Sequence, residues 1–472
     1  MPMTRHAHLA GLLAAVMILL LAIAGLALPV QAREPATVPA IEKPVLVFDM
    51  KTGEVLLSRA AGRPWHPASL TKLMTAYLVF DAIDRGRLRL DQLVTISKAA
   101  ANGGGRGAAR YGAKPGDRLD VHTMLAFLLV RSDADMAVAL AEAVAGSEAA
   151  FVQRMNAMAR RLGMSGTRFV NAHGMHHPDQ VTTARDMGLL AMAIYQRFLR
   201  KHPGWWRYFS SPYVMKGKVK KKNRNKLLEM MPEANGMKTG FVCASGFNLL
   251  ATASRNGRLL GAVVFGRRTG HTRALYARIM LEEGFRRAIQ PGRRKGPFIA
   301  AIRNTGGEAV NMRAAICRRQ KIRMANPENV LPAGWAVAFG GYRRAVDAEE
   351  VLAAELTAAG LPEQPAASGV ARLPERKAWA GLLWNLTDRN ALTFCALARV
   401  HKTPCQVYGP EAFAAMVPSI LEQRRKYLAR EQARERKLKQ RKAKGNWKKR
   451  KKAKRKAAGR PKARRTQAAG GG

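Results

Sequence analysis

The stretch Ser69-Leu70-Thr71-Lys72-Leu73-Met74-Thr75-Ala76-Tyr77-Leu78-Val79-Phe80 decides how the rest of the chain is organised. Apolar residues cover almost the whole circumference of the helix that this stretch predicts, so we expect a buried central helix that ends near Gly86. A lysine is out of place on such a helix. Ser69 and Lys72 are three residues apart, and on a helix they lie on one face within reach of each other.

This serine–lysine pair predicts a nucleophile with its own base. Burial disfavours the ammonium form of Lys72, and a lysine pushed toward neutrality can accept the proton of a neighbouring serine hydroxyl. Ser69 also stands at the predicted helix start, where its unpaired backbone N–H could form half of an oxyanion hole. About one S-x-x-K is expected by chance in a chain this long, so the motif alone does not identify an enzyme.

The composition leaves room for two or three domains and is strongly basic. The chain has 472 residues, 47% of them hydrophobic, and a formal net charge of +49. Residues 424–465 hold 23 Lys or Arg against two Glu and supply +21 of that charge, so the remaining +28 still makes a basic body. A composition of this kind suggests nucleic-acid binding first.

The amino terminus argues against a nucleic-acid partner because it predicts export. Arg5, His6 and His8 precede an apolar run over residues 9–28, and Ala32 offers a small-residue cleavage site. This is the layout of a secretory signal peptide over residues 1–32, although the run is also long enough for an uncleaved membrane anchor. Either way we expect the body outside the cytoplasm, which in a bacterium is the periplasm.

An oxidising compartment permits disulfides, and the chain has four cysteines. Cys395 falls in a predicted helix and Cys405 in the next predicted strand, which makes them the favoured pair. Cys243 and Cys317 are either free or paired with each other. Their spacing fits no zinc site.

Strand patterns at both ends of the region 40–290 enclose helical ones, which predicts an α/β fold. Two apolar runs flank a turn at Asp49 to Gly53, and Arg255-Asn256-Gly257 separates two later runs, so both pairs predict hairpins. Terminal strands that pair give an antiparallel sheet with helices on both faces and an all-helical insert. The predicted strands are 45–48, 55–57, 246–252 and 259–265, and the predicted helices are 121–130, 136–145, 149–162, 187–199 and 272–288.

Two further motifs follow the serine–lysine pair in order. Ser132-Asp133-Ala134 lies at a junction between predicted helices, and Gly236-Met237-Lys238-Thr239-Gly240-Phe241 leads into the returning strands. A lysine and a threonine hydroxyl on a strand edge would make a carboxylate site, and Gly240 would let a ligand approach the backbone closely. A second Lys-Thr-Gly, Lys51 to Gly53, lies in a hairpin turn and is given a structural role only.

The ordered motifs resemble those of penicillin-binding proteins and class A β-lactamases, and the chain closely resembles the low-molecular-weight D-alanyl-D-alanine carboxypeptidases over residues 40–290. The similar segments are 48–53, 67–75, 182–187, 223–228 and 236–240. The resemblance implies Ser69 as the acylated nucleophile, Lys72 as general base and Ser132 as proton shuttle. It also implies that Lys238, Thr239 and Gly240 bind the terminal carboxylate of D-Ala, and that the N–H groups of Ser69 and Phe241 form the oxyanion hole.

One position departs from the family pattern. The second motif is normally Ser-x-Asn, and here Ala134 replaces the amide, which would cost about 1–3 kcal/mol of polar contact if nothing substitutes for it. Asp133 is interpreted as a solvated acid at a helix start. A catalytically impaired, wall-binding homologue is therefore one alternative. A β-lactamase is another, although no Glu with the expected Leu-Asn context lies between Ser132 and Lys238, and Glu142, Glu148, Glu229 and Glu233 are interpreted as surface residues.

The remaining chain is divided into a basic linker over 291–330, a small α+β module over 331–410 and a basic helical or disordered tail over 411–472. Strand, helix, strand, helix and strand patterns over 335–342, 346–359, 378–386, 389–400 and 405–408 resemble a SPOR module, which binds peptidoglycan. An unrelated α+β module is the alternative.

The implied partners follow from this organisation. They are peptidoglycan stem peptides, glycan strands through the module, and β-lactams as inhibitors that acylate Ser69. The polybasic tail would bind an anionic membrane surface, where each Lys or Arg contributes about 1 kcal/mol, or remain a solvated disordered tail. No cofactor, metal or nucleic acid is expected.

Overall fold

The structure is a computed structural model that describes residues 41–318, 321–331, 333–373, 375 and 377–458, with only the backbone described for 442 and 444–458. The predicted signal peptide, residues 1–32, lies outside these ranges. No helix among the described residues is long and apolar enough to cross a membrane.

The described chain contains thirteen strands and thirteen α-helices. The strands are β1 (Val45–Asp49), β2 (Val55–Arg59), β3 (Leu93–Thr95), β4 (Arg118–Asp120), β5 (Tyr213–Lys216), β6 (Val219–Lys222), β7 (Ala234–Val242), β8 (Gly246–Arg255), β9 (Arg258–Arg267), β10 (Trp335–Tyr342), β11 (Ser368–Leu373), β12 (Ala378–Leu386) and β13 (Cys405–Tyr408). The helices are α1 (Lys72–Asp84), α2 (Lys98–Ala101), α3 (Val121–Ala126), α4 (Ala134–Ala145), α5 (Glu148–Arg161), α6 (Ala184–Ile194), α7 (Arg207–Ser210), α8 (Leu227–Met230), α9 (Gly270–Ala288), α10 (Arg313–Ile316), α11 (Ala345–Ala358), α12 (Asp388–Val400) and α13 (Pro410–Ala458).

The main sheet has five antiparallel strands in the order β2-β1-β9-β8-β7. Both predicted hairpins and the pairing between the two ends of the domain are confirmed. Alternate side chains of β1 point to opposite faces, as the period of a strand requires. Val45 and Val47 pack in the same cluster as α9, whereas Leu46 and Phe48 pack in the cluster of the helical part. The sheet is therefore covered by helices on both faces, which confirms the predicted fold class.

Helix α1 runs through the middle of the helical part. Every residue from Lys72 to Ala82 is buried, as the apolar circumference predicts. The predicted helix over 121–130 is divided: α3 ends at Ala126, and a π turn follows from Phe127 to Arg131. That turn ends at Ser132 in the left-handed conformation, with φ 67°. The break in helical geometry places Ser132 at a chain reversal rather than within a helix.

The carboxy-terminal strands form a second, four-stranded antiparallel sheet in the order β11-β12-β10-β13. The element order is βαββαβ, because β11 adds a strand that the sequence pattern did not predict. One face of this sheet packs against α11 and α12. The other face, including Trp384 and Tyr408, is covered by Phe413 and Ile420 from the first turns of α13.

This second sheet and the main sheet belong to one compact unit, which begins at Glu42. Helices α9 and α11 pack together between the two sheets. Buried ion pairs cross the junction: Arg267 of β9 pairs with Glu350 and Glu363 at 3.5 and 3.1 Å. His401 lies between Glu283 of α9 and Glu355 of α11, at 3.2 and 2.6 Å. Charged and apolar contacts together hold the second sheet against α9.

All four cysteines are paired. The predicted disulfide between Cys395 and Cys405 is confirmed, and Cys243 is joined to Cys317, which decides the alternative that the sequence left open. The Cys243–Cys317 bond ties residue 317, in the segment predicted as a linker, to the turn between β7 and β8. Ile299, in the same segment, is buried, and its N–H donates to the Gly53 carbonyl. The segment therefore runs along the main sheet.

Candidate active site

Ser69 and Lys72 meet as predicted, in a slightly different local structure. Residues Ala68–Thr71 form a 3-10 turn, and α1 begins only at Lys72. Side chains three residues apart stand directly over one another in a 3-10 turn. The Lys72 Nζ accordingly lies 3.2 Å from the Ser69 Oγ. Ser69 lies at the start of the helical segment as predicted, but in a first turn of 3-10 geometry, which brings the pair together more directly.

Lys72 is held in an environment that favours the neutral amine. Its side chain is 1% exposed, and its Nζ also donates to the carbonyl of His173. Burial lowers the pKa of Lys72 to about 7; the Arg224 guanidinium adds to this effect, while Asp133 and Asp135 oppose it. A lysine with this pKa is partly unprotonated at neutral pH and can accept the proton of a serine hydroxyl.

Ser132 is buried near Lys72. Its neighbour Asp133 acts electrostatically on Lys72, which places the second motif at the lysine. The Ser132 Oγ is buried and has no hydrogen-bond partner among the described residues. Buried hydroxyl groups nearly always have a hydrogen-bond partner, and one without a partner can mark a catalytic role. The Ser132 hydroxyl is therefore available for proton transfer.

Strand β7 brings the third motif to the first. β7 is the edge strand of the main sheet, so one of its edges has no neighbouring strand in the part of the chain that the structure describes. A Cβ on Gly240 would lie 2.8 Å from the Pro67 carbonyl oxygen and 3.2 Å from the Ser69 backbone nitrogen. Only glycine allows the strand to approach the serine turn so closely. The free edge of β7 can therefore receive an extended peptide beside the serine.

Lys238 is buried in the same site. Burial lowers the pKa of Lys238 well below its ordinary value, and the nearby Lys72, Arg224 and Arg273 lower it further. Its Nζ donates to the Thr239 carbonyl at 3.0 Å. Since the field of Lys72 reaches Lys238, the structure brings these two predicted lysines together.

Thr239, Gly240 and Phe241 continue along β7 in register with Leu249, Asn248 and Phe247 of β8. Thr239 is buried, but the Phe241 side chain is 42% exposed and stacks on Phe247 at a centroid distance of 4.1 Å. Its aromatic ring thus stands at the rim of the site.

The interpretation of Asp133 as a solvated acid is wrong. Asp133 is 4% exposed and makes no capping hydrogen bond at the start of α4. Burial raises the pKa of Asp133 to about 6, with Asp135 adding to the rise and Arg224 opposing it. The local sequence gave no signal of this burial, because it depends on contacts with distant segments. The negative charge of Asp133 acts on Lys72 and raises the pKa of that lysine.

Ala134 stands where the family pattern has an asparagine, and the glycine-rich loop over residues 102–107 packs against it. The Ala134 N–H donates to the Ala109 carbonyl at 2.7 Å. A Cβ on Gly104 would lie 2.8 Å from the Ala134 Cβ, so the loop and the alanine are in close contact. The space that a longer side chain would need beside Ala134 is filled by this loop.

Sequence reasoning missed two residues that support Lys72. The His173 carbonyl accepts from Lys72, and burial together with Lys72 lowers the pKa of the His173 imidazole to about 3. Glu148 holds this segment: its carboxylate accepts from the Ala172 N–H at 2.9 Å and lies 3.6 Å from His173 Nε2. The Glu148 side chain is 31% exposed, so it lies at the surface as interpreted, while its carboxylate also holds the segment with His173.

Two arginines were also missed. Arg224 donates through Nε to the Arg131 carbonyl at 2.5 Å, and Arg273 donates to the carbonyls of Arg224 and Asn248 at 3.1 and 3.3 Å. Burial lowers the pKa of Arg273 to about 9, and Arg224 contributes to that change. Both guanidinium groups add positive charge beside Lys238. Arg224 lies in the segment 223–228 that carried the resemblance, which was the signal for it.

Comparison with known proteins agrees with this geometry. The family model of D-alanyl-D-alanine carboxypeptidases, peptidase family S11, matches residues 31–269, which is 239 residues of 472. The chain belongs to this family. The matched region contains the serine turn, the Ser132 junction and the Lys238 strand of the carboxypeptidase fold.

Named relatives come from several bacteria. The chain is 35% identical over 245 residues to the D-alanyl-D-alanine carboxypeptidase DacC of Escherichia coli, covering 51% of this chain and 60% of the relative. It is 36% identical over 251 residues to DacD of Salmonella typhimurium, covering 52% and 63%. The chain thus spans about three fifths of the length of these curated relatives. The solved structure of penicillin-binding protein 5 from Haemophilus influenzae is 30% identical with a TM-score of 0.49, covering 52% of this chain and 71% of that chain.

Proposed function

We propose that this protein is a serine D-Ala-D-Ala carboxypeptidase that removes the terminal D-Ala from peptidoglycan stem pentapeptides. The observation that carries the proposal is the buried Lys72, whose Nζ lies 3.2 Å from the Ser69 Oγ and whose pKa is lowered to about 7 by burial. A nucleophile and a base poised near neutral pH are what acyl transfer at a serine needs. Membership of the carboxypeptidase family supports the choice of substrate.

The acylation step uses the residues around this pair. Neutral Lys72 takes the Ser69 hydroxyl proton as the Oγ attacks the penultimate D-Ala carbonyl, and the N–H groups of Ser69 and Phe241 bind the oxyanion. Lys238 and Thr239 bind the terminal carboxylate on the free side of β7, with Gly240 allowing close approach. The proton then passes from Lys72 through Ser132 to the departing amine, and D-Ala leaves an ester on Ser69.

Deacylation releases the shortened stem. Water attacks the ester carbonyl while Lys72 accepts a proton from it, and the tetrapeptide carboxyl group leaves as the Ser69 hydroxyl is restored. A β-lactam would acylate Ser69 in the same way, and its ring-opened product would remain attached. The relation to penicillin-binding proteins supports this inhibition.

The experiment that tests the function measures D-Ala release from a synthetic pentapeptide, beside labelling with a fluorescent penicillin. Wild-type protein should release D-Ala and become labelled, whereas Ser69→Ala should do neither. D-Ala release by Ser69→Ala at the wild-type rate would refute the mechanism. Labelling without any D-Ala release would favour the impaired wall-binding homologue that Ala134 suggests.

We further propose that the βαββαβ module binds glycan strands in the manner of a SPOR module and that the protein works in the periplasm. The element order supports the first proposal, and two disulfides support the second. The test is retention of the full-length chain on purified sacculi before and after enzymatic removal of the stem peptides. Loss of all retention on stripped glycan would refute glycan binding by the module.

The basic helix α13 is proposed to bind an anionic membrane surface. Its first turns pack on the second sheet, whereas Arg436, Lys437 and Lys439 are exposed farther along. Co-sedimentation with vesicles of increasing anionic lipid content tests this, and equal sedimentation with neutral vesicles would refute it.

A further inference from the structure

The hairpin β5–β6 is the most basic exposed element near the site. Residues 211–228 contain seven Lys or Arg and no Asp or Glu. The lysine contacts that the structure describes here are with a carbonyl oxygen and aromatic rings: Lys216 Nζ donates to the Tyr111 carbonyl at 2.6 Å and lies 4.2 Å from the Tyr111 ring centroid. Lys220 Nζ lies 3.8 Å from the centroid of Tyr213. The positive charge of this hairpin is left for a ligand.

The hairpin is fastened to the active-site rim. Arg131, the residue before Ser132, donates to the Lys222 carbonyl at 2.6 Å. Tyr111, the partner of Lys216, is itself held by a hydrogen bond of 2.9 Å from its N–H to the Asp135 carboxylate. The chain then continues from β6 through Asn223 to Arg224 of the site. A ligand bound on the hairpin would therefore lie near Ser132.

The two faces of the hairpin differ in composition. In the antiparallel register Tyr213 opposes Lys222 and Met215 opposes Lys220, so these four side chains share one face. All four are exposed, Tyr213 by 39% and Met215 by 49%. The opposite face, with Val214 and Lys216, is partly buried on the body. The outer face thus combines Tyr213 and Met215 with Lys220 and Lys222, two lysines that make no ion pair with the described residues, and Lys218 stands at the turn.

We propose that this outer face binds carboxylate groups of the stem peptide on the acyl-donor side of the scissile bond. This inference rests on the proposed function. It specifies the substrate: stem peptides with a free side-chain carboxylate are favoured over stem peptides in which that group is absent or amidated. The ammonium groups of Lys218, Lys220 and Lys222 meet the carboxylates, while Tyr213 and Met215 cover aliphatic parts of the stem.

The nearby acidic groups oppose this charge only in part. Asp133 and Asp135 are buried, and the Asp135 carboxylate is occupied by the N–H groups of Tyr111 and Gly112 at 2.9 and 2.8 Å. Arg131 and Arg224 next to the hairpin are cationic, whereas Asp117 and Asp120 act on Tyr111, the residue that Lys216 contacts. An acidic stem would therefore gain attraction from Lys218, Lys220 and Lys222, and Asp117 and Asp120 would oppose part of it.

The test compares two synthetic pentapeptides that end in D-Ala-D-Ala and differ only in a side-chain carboxylate or its carboxamide. We expect wild-type protein to have the higher kcat/KM for the acidic peptide. In the variant Lys218→Gln/Lys220→Gln/Lys222→Gln, the ratio of the two kcat/KM values should fall about fivefold, as expected for a few exposed ion pairs. Added salt should lower the wild-type ratio in the same direction.

A matched control removes three charges elsewhere. Lys98, Arg160 and Arg161 are exposed on α2 and α5, and their replacement by Gln should leave the ratio at its wild-type value. An equal fall in this control, or an unchanged ratio in the hairpin variant, would overturn the inference. So would a hairpin variant that keeps the ratio but loses binding to anionic vesicles, since the hairpin would then be a lipid-binding element.

Failure of the proposed function gives a different result. If neither peptide is hydrolysed by wild-type protein, the carboxypeptidase proposal is refuted before the hairpin is considered. If both peptides are hydrolysed at equal kcat/KM, the carboxypeptidase proposal stands and the hairpin inference fails.

Discussion

The acylation rate of Ser69 should follow the protonation of Lys72. Burial lowers the pKa of Lys72 to about 7, and only its neutral form can take the serine proton. The neutral fraction then rises from about 9% at pH 6 to about 91% at pH 8, so the acylation rate should rise about tenfold across that interval. The rate is measured as the second-order rate constant for labelling by a fluorescent penicillin between pH 5 and 9.

Two substitutions of opposite charge check which group is responsible. Asp133 raises the pKa of Lys72, so Asp133→Asn should move the midpoint of the pH profile below its wild-type position. Arg224 lowers the pKa of Lys72, so Arg224→Gln should move the midpoint above it. The carboxyl of Asp133 has a pKa raised to about 6 by its own burial, and its removal also excludes Asp133 as the titrating group.

The reasoning would be refuted by a midpoint at the ordinary lysine value, or by shifts in the same direction for both variants. Circular dichroism across the same pH range separates a change in protonation from a loss of folding.

Three further predictions concern the framework of the site. Gly240→Ala would place a Cβ 2.8 Å from the Pro67 carbonyl oxygen and, by displacing β7, should slow penicillin labelling about ten- to hundredfold and also lower the melting temperature. Breaking the Cys243–Cys317 bond by Cys243→Ser opens a loop with a sequence separation of 74 residues and should lower the free energy of unfolding by about 4 kcal/mol in urea titrations. Burial alone would lower the pKa of His401, but two flanking carboxylates raise it to about 9. The protonated imidazole therefore contributes about 3 kcal/mol to the free energy of unfolding below pH 6.5, and this contribution is lost as the pH rises through 9. His401→Gln should flatten that part of the profile of stability against pH, measured by urea titration.

The sequence predicted the parts of the fold that local patterns determine. The burial of α1 followed from an apolar circumference, and the bounds of β10, β12 and β13 followed from alternating or continuous apolar runs. Strand β11, Ser368–Leu373, was missed because it carries a glycine and an arginine and is stabilised by pairing with β12. Its local preference is weak, and the neighbouring strand determines its structure.

The candidate site divides in the same way. Ser69 and Lys72 lie within one turn, so their spacing alone predicted their contact. The burial of Asp133 and the support of Lys72 by the His173 carbonyl arise from segments about 40 to 100 residues apart in sequence. No local pattern reports such contacts. The docking of α11 on the main sheet depends on charge pairs such as Arg267 of β9 with Glu350 of α11, which no local sequence pattern predicts.

In the proposed mechanism the two buried lysines have opposite roles, because the substrate carboxylate would bind at Lys238 and not at Lys72. Without substrate the field of Lys72 lowers the pKa of Lys238, and Arg224 lowers the pKa of both lysines. A carboxylate bound at Lys238 and Thr239 replaces the lost hydration with an opposite charge and raises the pKa of Lys238 again, so that Lys238 is cationic in the complex. Lys72 is then beside a cation and stays neutral. Binding of the terminal carboxylate therefore selects the protonation state in which Lys238 holds the substrate and Lys72 can accept the proton of Ser69.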